Sequence, residues 1–129
     1  MAGRRRYAGT VIEEVAAGSA RVDAWLNLRN RAYPWHLMDR RGFERSAATS
    51  PRRVAEGAGV AWVQTRTMAP DHPCAPAGVL VLPERRRRGI GTQLYRAISD
   101  QARRWGVREL EVLVHSDDPD GAAFARSRG

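Results

Sequence analysis

Between Val81 and Thr92 the chain reads Val81-Leu-Pro-Glu-Arg-Arg-Arg-Arg-Gly-Ile-Gly-Thr92, four successive arginines followed by two glycines separated by one residue. Residue types in this order suit the binding of an anion. The first turn of a helix presents amides without an internal partner and a partial positive charge, and glycine lets main chain approach an oxyanion with no Cβ in the way. Successive amides turned to one side form a concave nest suited to a diphosphate, and neighbouring arginines add bidentate contacts to oxygen anions. The dinucleotide fingerprint requires three glycines in another spacing, and the P-loop requires Gly-Lys-Ser/Thr, so neither describes this segment. The plain alternative is a solvated charge run at the start of an ordinary helix. The elements on either side weigh against it.

Val79-Leu-Val-Leu82 is a continuous apolar run, as expected of a strand covered on both faces and ended by Pro83. After the arginines, Ile90, Leu94, Ile98, Ala102 and Trp105 recur about every four residues, which predicts a helix over 89–105 stopped at Gly106. A last strand follows over 108–114, so strand, helix and strand form a right-handed βαβ unit with parallel strands. Upstream, 7–15 reads as a first strand. Val22, Trp25, Leu26, Arg29, Ala32 and Tyr33 mark the buried stripe of a helix capped by Ser19 and stopped by Pro34. A second short helix is expected over 39–48 around Phe43. A hairpin joins 53–56 to 60–65 through Gly57-Ala58-Gly59, and a proline-rich loop spans 69–77.

A strand ending Val81-x-Pro83, followed by Arg86-x-x-Gly89-x-Gly91 at the start of a helix, resembles the signature of the GNAT superfamily of N-acetyltransferases. Residues 7–66 fit that family's order of strand, two helices and hairpin, and 107–129 fit its fifth strand and the start of its fourth helix. The resemblance implies one α/β (α+β) domain over 1–129, a mixed sheet with helices on both faces, and acetyl-CoA as cosubstrate. It implies that main-chain groups of Leu80, Val81 and Leu82 meet the pantetheine arm. Arg86, Arg87, Arg88, Gly89, Ile90, Gly91 and Thr92 would hold the pyrophosphate. The reaction implied is direct attack of an unprotonated primary amine, on a small molecule or a peptide, at the thioester carbonyl. The family's usual tyrosine position falls on Ala125, and its last two strands would follow Gly129, so a continuation of the chain or a second copy is expected to complete the sheet.

No residue is assigned as general base: His115 after the last strand, His36 and His72 all read as polar surface. Asp117, Asp118 and Asp120 lack calcium-loop spacing, and Asp117 or Asp118 reads as a helix cap, so no metal site is expected. Glu84 reads as a partner of the arginine run. Trp25, Trp62 and Trp105 read as core, whereas Trp35, after Pro34, reads equally as packing or as part of an acceptor pocket. The chain has 129 residues, enough for one domain of ordinary size. Its net charge is +8, and all 22 basic residues are arginine. That balance favours anionic partners, yet nucleic acid is disfavoured because no aromatics interleave the arginines. Cys74 is the single cysteine, which forbids an internal disulfide, and it reads as a loop residue. No apolar segment is long enough to span a bilayer and no secretion signal is read, so a cytoplasmic enzyme is expected. A catalytically inactive relative that still binds CoA or a protein partner is the alternative.

Overall fold

A computed structural model of the chain describes residues 4–7, 10–46, 49–64 and 74–112. In chain order the elements are β1 (Arg4–Tyr7), β2 (Thr10–Glu14), α1 (Arg21–Ala32), α2 (Arg40–Arg45), β3 (Arg52–Ala55), β4 (Gly59–Val63), β5 (Cys74–Val81), a single tight helical turn Pro83–Arg85, α3 (Ile90–Arg104) and β6 (Glu109–Val112). The strands form one six-stranded sheet in sequence order. Pairing is antiparallel from β1 through β5 and parallel between β5 and β6. The mixed sheet with helices on both faces is therefore present, and the strand, α3 and strand unit is parallel as its sequence requires.

Alternation along the strands divides the core into two layers. Ile12, Ala55, Ala61, Val63, Ala75 and Ala77 face α3, where they meet Leu94, Ala97, Ile98 and Ala102. Val54, Val60 and Leu82 face the opposite way, against Val22, Trp25, Leu26 and Phe43 of α1 and α2. Burying each of the valine, leucine, isoleucine and phenylalanine side chains among them stabilises the fold by about 1.5–3 kcal/mol. Trp25 is the keystone of the second layer, meeting Phe43 and Trp62 edge to face at centroid distances of 5.4 and 6.0 Å. Its indole Nε1 also donates to the Arg53 carbonyl at 3.1 Å.

Three local expectations are corrected. The single strand over 7–15 is a pair, β1 and β2, in the register Arg4↔Glu13 to Tyr7↔Thr10. Ser19 does accept from a main-chain amide, that of Arg21 at 3.3 Å, but Ala20 holds the cap position of α1 and makes no side-chain cap. The expected loop over 69–77 is strand from Cys74 onward. Pro76 is tolerated there because pairing with β4 ends at Val63↔Ala77, so its missing N–H falls where the ladder stops, while its carbonyl accepts from the Gln64 amide at 2.8 Å. The last strand is described over Glu109–Val112 only. His72, His115, Asp117, Asp118, Asp120 and Ala125 lie outside the described residues.

Candidate functional site

The alternation of hydrogen bonds between β4 and β5 fixes where the end of β5 points its polar groups. Leu82 N donates to Ala58 O and Gln64 N to Pro76 O, both at 2.8 Å, so even-numbered residues of β5 turn their amides and carbonyls toward β4. Val79 and Val81 consequently turn theirs the other way, toward the β6 side. There the described pairing runs from Cys74↔Glu109 to Ala77↔Val112, and Val79 and Val81 lie beyond it. Two glycines allow β5 its close packing against β4. A Cβ on Gly78 would lie 2.1 Å from the Trp62 ring, and one on Gly59 would lie 2.5 Å from the Leu80 carbonyl oxygen. A glycine inside an apolar strand is the sequence signal that could have found this contact.

Beyond β5 the chain turns through Pro83–Arg85 and enters α3. Arg87 has φ of 65° and Gly89 has φ of 79°, both in the left-handed region. That conformation costs nothing at glycine but of order 1 kcal/mol or more at arginine, a local strain of the kind that collects at functional turns. Gly89 is the cap residue of α3 and supplies no side-chain cap. Nothing lies within 4 Å of the position its Cβ would occupy. Among the described residues, the amides of Gly89, Ile90 and Gly91 meet no acceptor, so the positive end of a 15-residue helix keeps donors available for a ligand; Gly89 is exposed, and Ile90 and Gly91 are half-buried. Arg87 and Arg88 are exposed beside them, and Arg88 has no ion-pair partner among the described residues.

The structure brings the sequence-derived site residues together at one place, with three changes of role. Leu82 is 2% exposed and packs under α1, so its side chain belongs to the core and its amide to Ala58. Arg86 turns back on the strand, its Nε donating to the Val81 carbonyl at 3.0 Å. Glu84 pairs with Arg31 of α1 at 2.9 Å, where the sequence pointed to the arginine run. Leu80 and Val81 are half-buried, and Gly91 and Thr92 lie in the first turn of α3.

On the other side of the same tie, the segment after α1 exposes Trp35, which meets the Tyr33 ring edge to face at 5.0 Å. His36 is exposed, and its carbonyl accepts from the buried Arg29. Sequence reasoning missed Arg31 altogether, because an ion pair 53 residues apart leaves no local pattern.

The family model for the GNAT acetyltransferases matches residues 22–129, which takes in every element from α1 onward. The chain belongs to the GNAT acetyltransferase family. No curated protein sequence matches it. Solved structures share its fold. One is AAC(6')-Iy in complex with a CoA bisubstrate analogue, 20% identical with a TM-score of 0.70, covering 92% of this chain and 89% of that one. Another is an aminoglycoside acetyltransferase from an uncultured soil metagenomic sample, in complex with sisomicin. It is 19% identical with a TM-score of 0.67, covering 90% of this chain and 84% of the other. A third is the IAA acetyltransferase of Bacillus cereus, 19% identical with a TM-score of 0.68, covering 93% and 75%. Among the described residues of this GNAT chain, no helix is long and apolar enough to cross a membrane.

Proposed function

We propose that this chain is a single-domain, cytoplasmic N-acetyltransferase that moves an acetyl group from acetyl-CoA to a primary amine by direct attack on the thioester. The observation that carries the reading is the bend after β5, where the amides of Gly89, Ile90 and Gly91 meet no acceptor among the described residues and Gly89 borders open space, within a chain of the GNAT family. A diphosphate fits donors of that kind, and Arg87, Arg88 and the amide of Thr92 extend the positive surface around them. The main-chain groups of Val79 and Val81 point to the side from which an amide-bearing pantetheine arm would approach.

Acetyl-CoA supplies an activated acetyl group on a leaving thiolate that departs without obligatory protonation. The protein has to orient the thioester and offer a fixed donor where negative charge develops on the carbonyl oxygen, a role an outward amide of β5 can fill. The acceptor must also arrive unprotonated. An alkyl amine of pKa about 10.4 is mostly charged at neutral pH, so a base or a water chain accelerates the reaction. The exposed Trp35 packed against the half-buried Tyr33, tied to the bend through Arg31 and Glu84, supports a small-molecule or peptide amine with an apolar portion.

Two measurements test this. Acetyl-CoA raises the melting temperature if the bend is the coenzyme site, by an amount set by concentration over Kd. Thiol release across a panel of small amines and peptides then reports turnover. A melting temperature unmoved at millimolar acetyl-CoA contradicts the reading, and binding without turnover on any amine reduces the protein to a CoA-binding relative.

A further inference from the structure

Arg86 stands out in the basic run because its Nε donates to a main-chain carbonyl of the preceding strand. We propose that Arg86 is a positioning residue that acts through the Val81 carbonyl as a hydrogen-bond donor, not through its charge. The proposal rests on the coenzyme reading above. Val81 is the last residue of β5, and its carbonyl points to the β6 side of the strand, with no hydrogen bond to β4 among the described residues. Arg86 Nε closes a ring that runs from Val81 through Pro83–Arg85 by donating to that carbonyl at 3.0 Å. The ring fixes where the strand ends and the turn begins, so it sets the direction in which Val81 presents its amide and the path by which the chain reaches Arg87 and Gly89. Half-buried, the bond exchanges less freely with water than the contacts available to the exposed Arg87 and Arg88.

The donor atom decides which substitutions should work. Arginine Nε is the fourth heavy atom of its side chain, after three carbons. Glutamine carries its amide nitrogen at that same place, methionine a methyl group and glutamate an oxygen that can only accept. Arg86→Gln therefore retains the bond and removes the charge, Arg86→Met keeps the length and loses the donor, and Arg86→Glu turns it into a repulsion.

The test is the Kd for acetyl-CoA of the parent and the three variants, each at two salt concentrations, beside the melting temperature without ligand. The expected result is that Arg86→Gln stays within about threefold of the parent, Arg86→Met weakens about tenfold, and Arg86→Glu weakens further, one hydrogen bond of ordinary strength corresponding to about a factor of ten. All four proteins should show the same dependence on salt, because no phosphate contact is removed. Equal losses in Arg86→Gln and Arg86→Met with a shallower salt dependence would overturn the proposal and make Arg86 a phosphate ligand. A lowered melting temperature in Arg86→Met with unchanged affinity would also overturn it, leaving the bond a structural brace. If Arg86→Met does not fold, the Gln and Glu pair decides by the same criteria. A parent protein that fails to bind acetyl-CoA is a separate outcome, and removes the coenzyme reading itself.

Discussion

Arg52 and Arg88 are the same residue in two opposite environments. Arg52 is 3% exposed at the start of β3, with its guanidinium 4.4 Å from the Phe43 ring centroid and 5.4 Å from that of Trp25. It donates to the Ser50 carbonyl at 2.9 Å and to Ser46 Oγ at 2.6 Å, and no carboxylate pairs with it among the described residues. Burial lowers its pKa from the ordinary guanidinium range to about 10. Arg88 is exposed beside the donors at the start of α3. One arginine is a structural cross-member between the sheet and the α1–α2 layer, whereas the other is an exposed charge to which the proposed function gives a ligand. In a chain whose 22 basic residues are all arginine, type alone does not separate these roles.

The largest expected effect comes from the buried member. Arg52→Ala should lose about 2–4 kcal/mol of unfolding free energy, from the vacated space beside Trp25 and Phe43 and the unpaired Ser50 carbonyl. Acetyl-CoA affinity of the folded fraction should not change. Urea unfolding and a ligand titration check both halves, and an affinity loss without a stability loss would reverse the roles assigned to the two regions.

The reverse pattern is expected at the bend. Replacing Arg87 and Arg88 together by glutamine should weaken acetyl-CoA about tenfold at low salt, less at high salt, with stability within about 0.5 kcal/mol of the parent. A salt-independent loss would show that the arginines act by shaping the turn rather than by charge.

The smallest effect sharpens the buried half. The folded-state pKa of Arg52 lies below its unfolded value, so between the two the unfolded chain holds more protons and stability rises with pH. The burden of the buried charge is complete below about 10 and is relieved as pH climbs toward the unfolded value. Relative to Arg52→Met, the parent should gain on the order of 1 kcal/mol between about pH 9 and pH 11.5. A constant difference over that range would place the guanidinium in a better-solvated setting.

The contrast also explains what the sequence could disclose. The bend was legible because strand, proline, arginine, glycine and helix are contiguous, so local chemistry and chain order coincide there. The stripe of α1 and the period of α3 were legible for the same reason. Arg52 was not, since its aromatic neighbours come from α1 and α2 and a basic residue next to Pro51 and Arg53 reads as surface. The Arg31 and Glu84 tie and the Trp62 ring lying across Gly78 were hidden likewise, each made by residues distant in sequence. Pro76 misled because its rule concerns a missing N–H, and only the register shows that the ladder ends there. Arg86 was read as a ligand from its place in the motif, and only the coordinates show it turned toward Val81.

The central claim is that main-chain donors at the start of α3 hold the coenzyme's diphosphate. Gly91→Val tests it most directly, because a β-branched side chain in the first turn of α3 obstructs approach to those amides while replacing the residue least favourable to a helix interior save proline. Calorimetric titration with acetyl-CoA should show affinity reduced about a hundredfold, close to 2.7 kcal/mol, with a melting temperature equal to the parent's or higher. Equal affinity in the two proteins would contradict the claim.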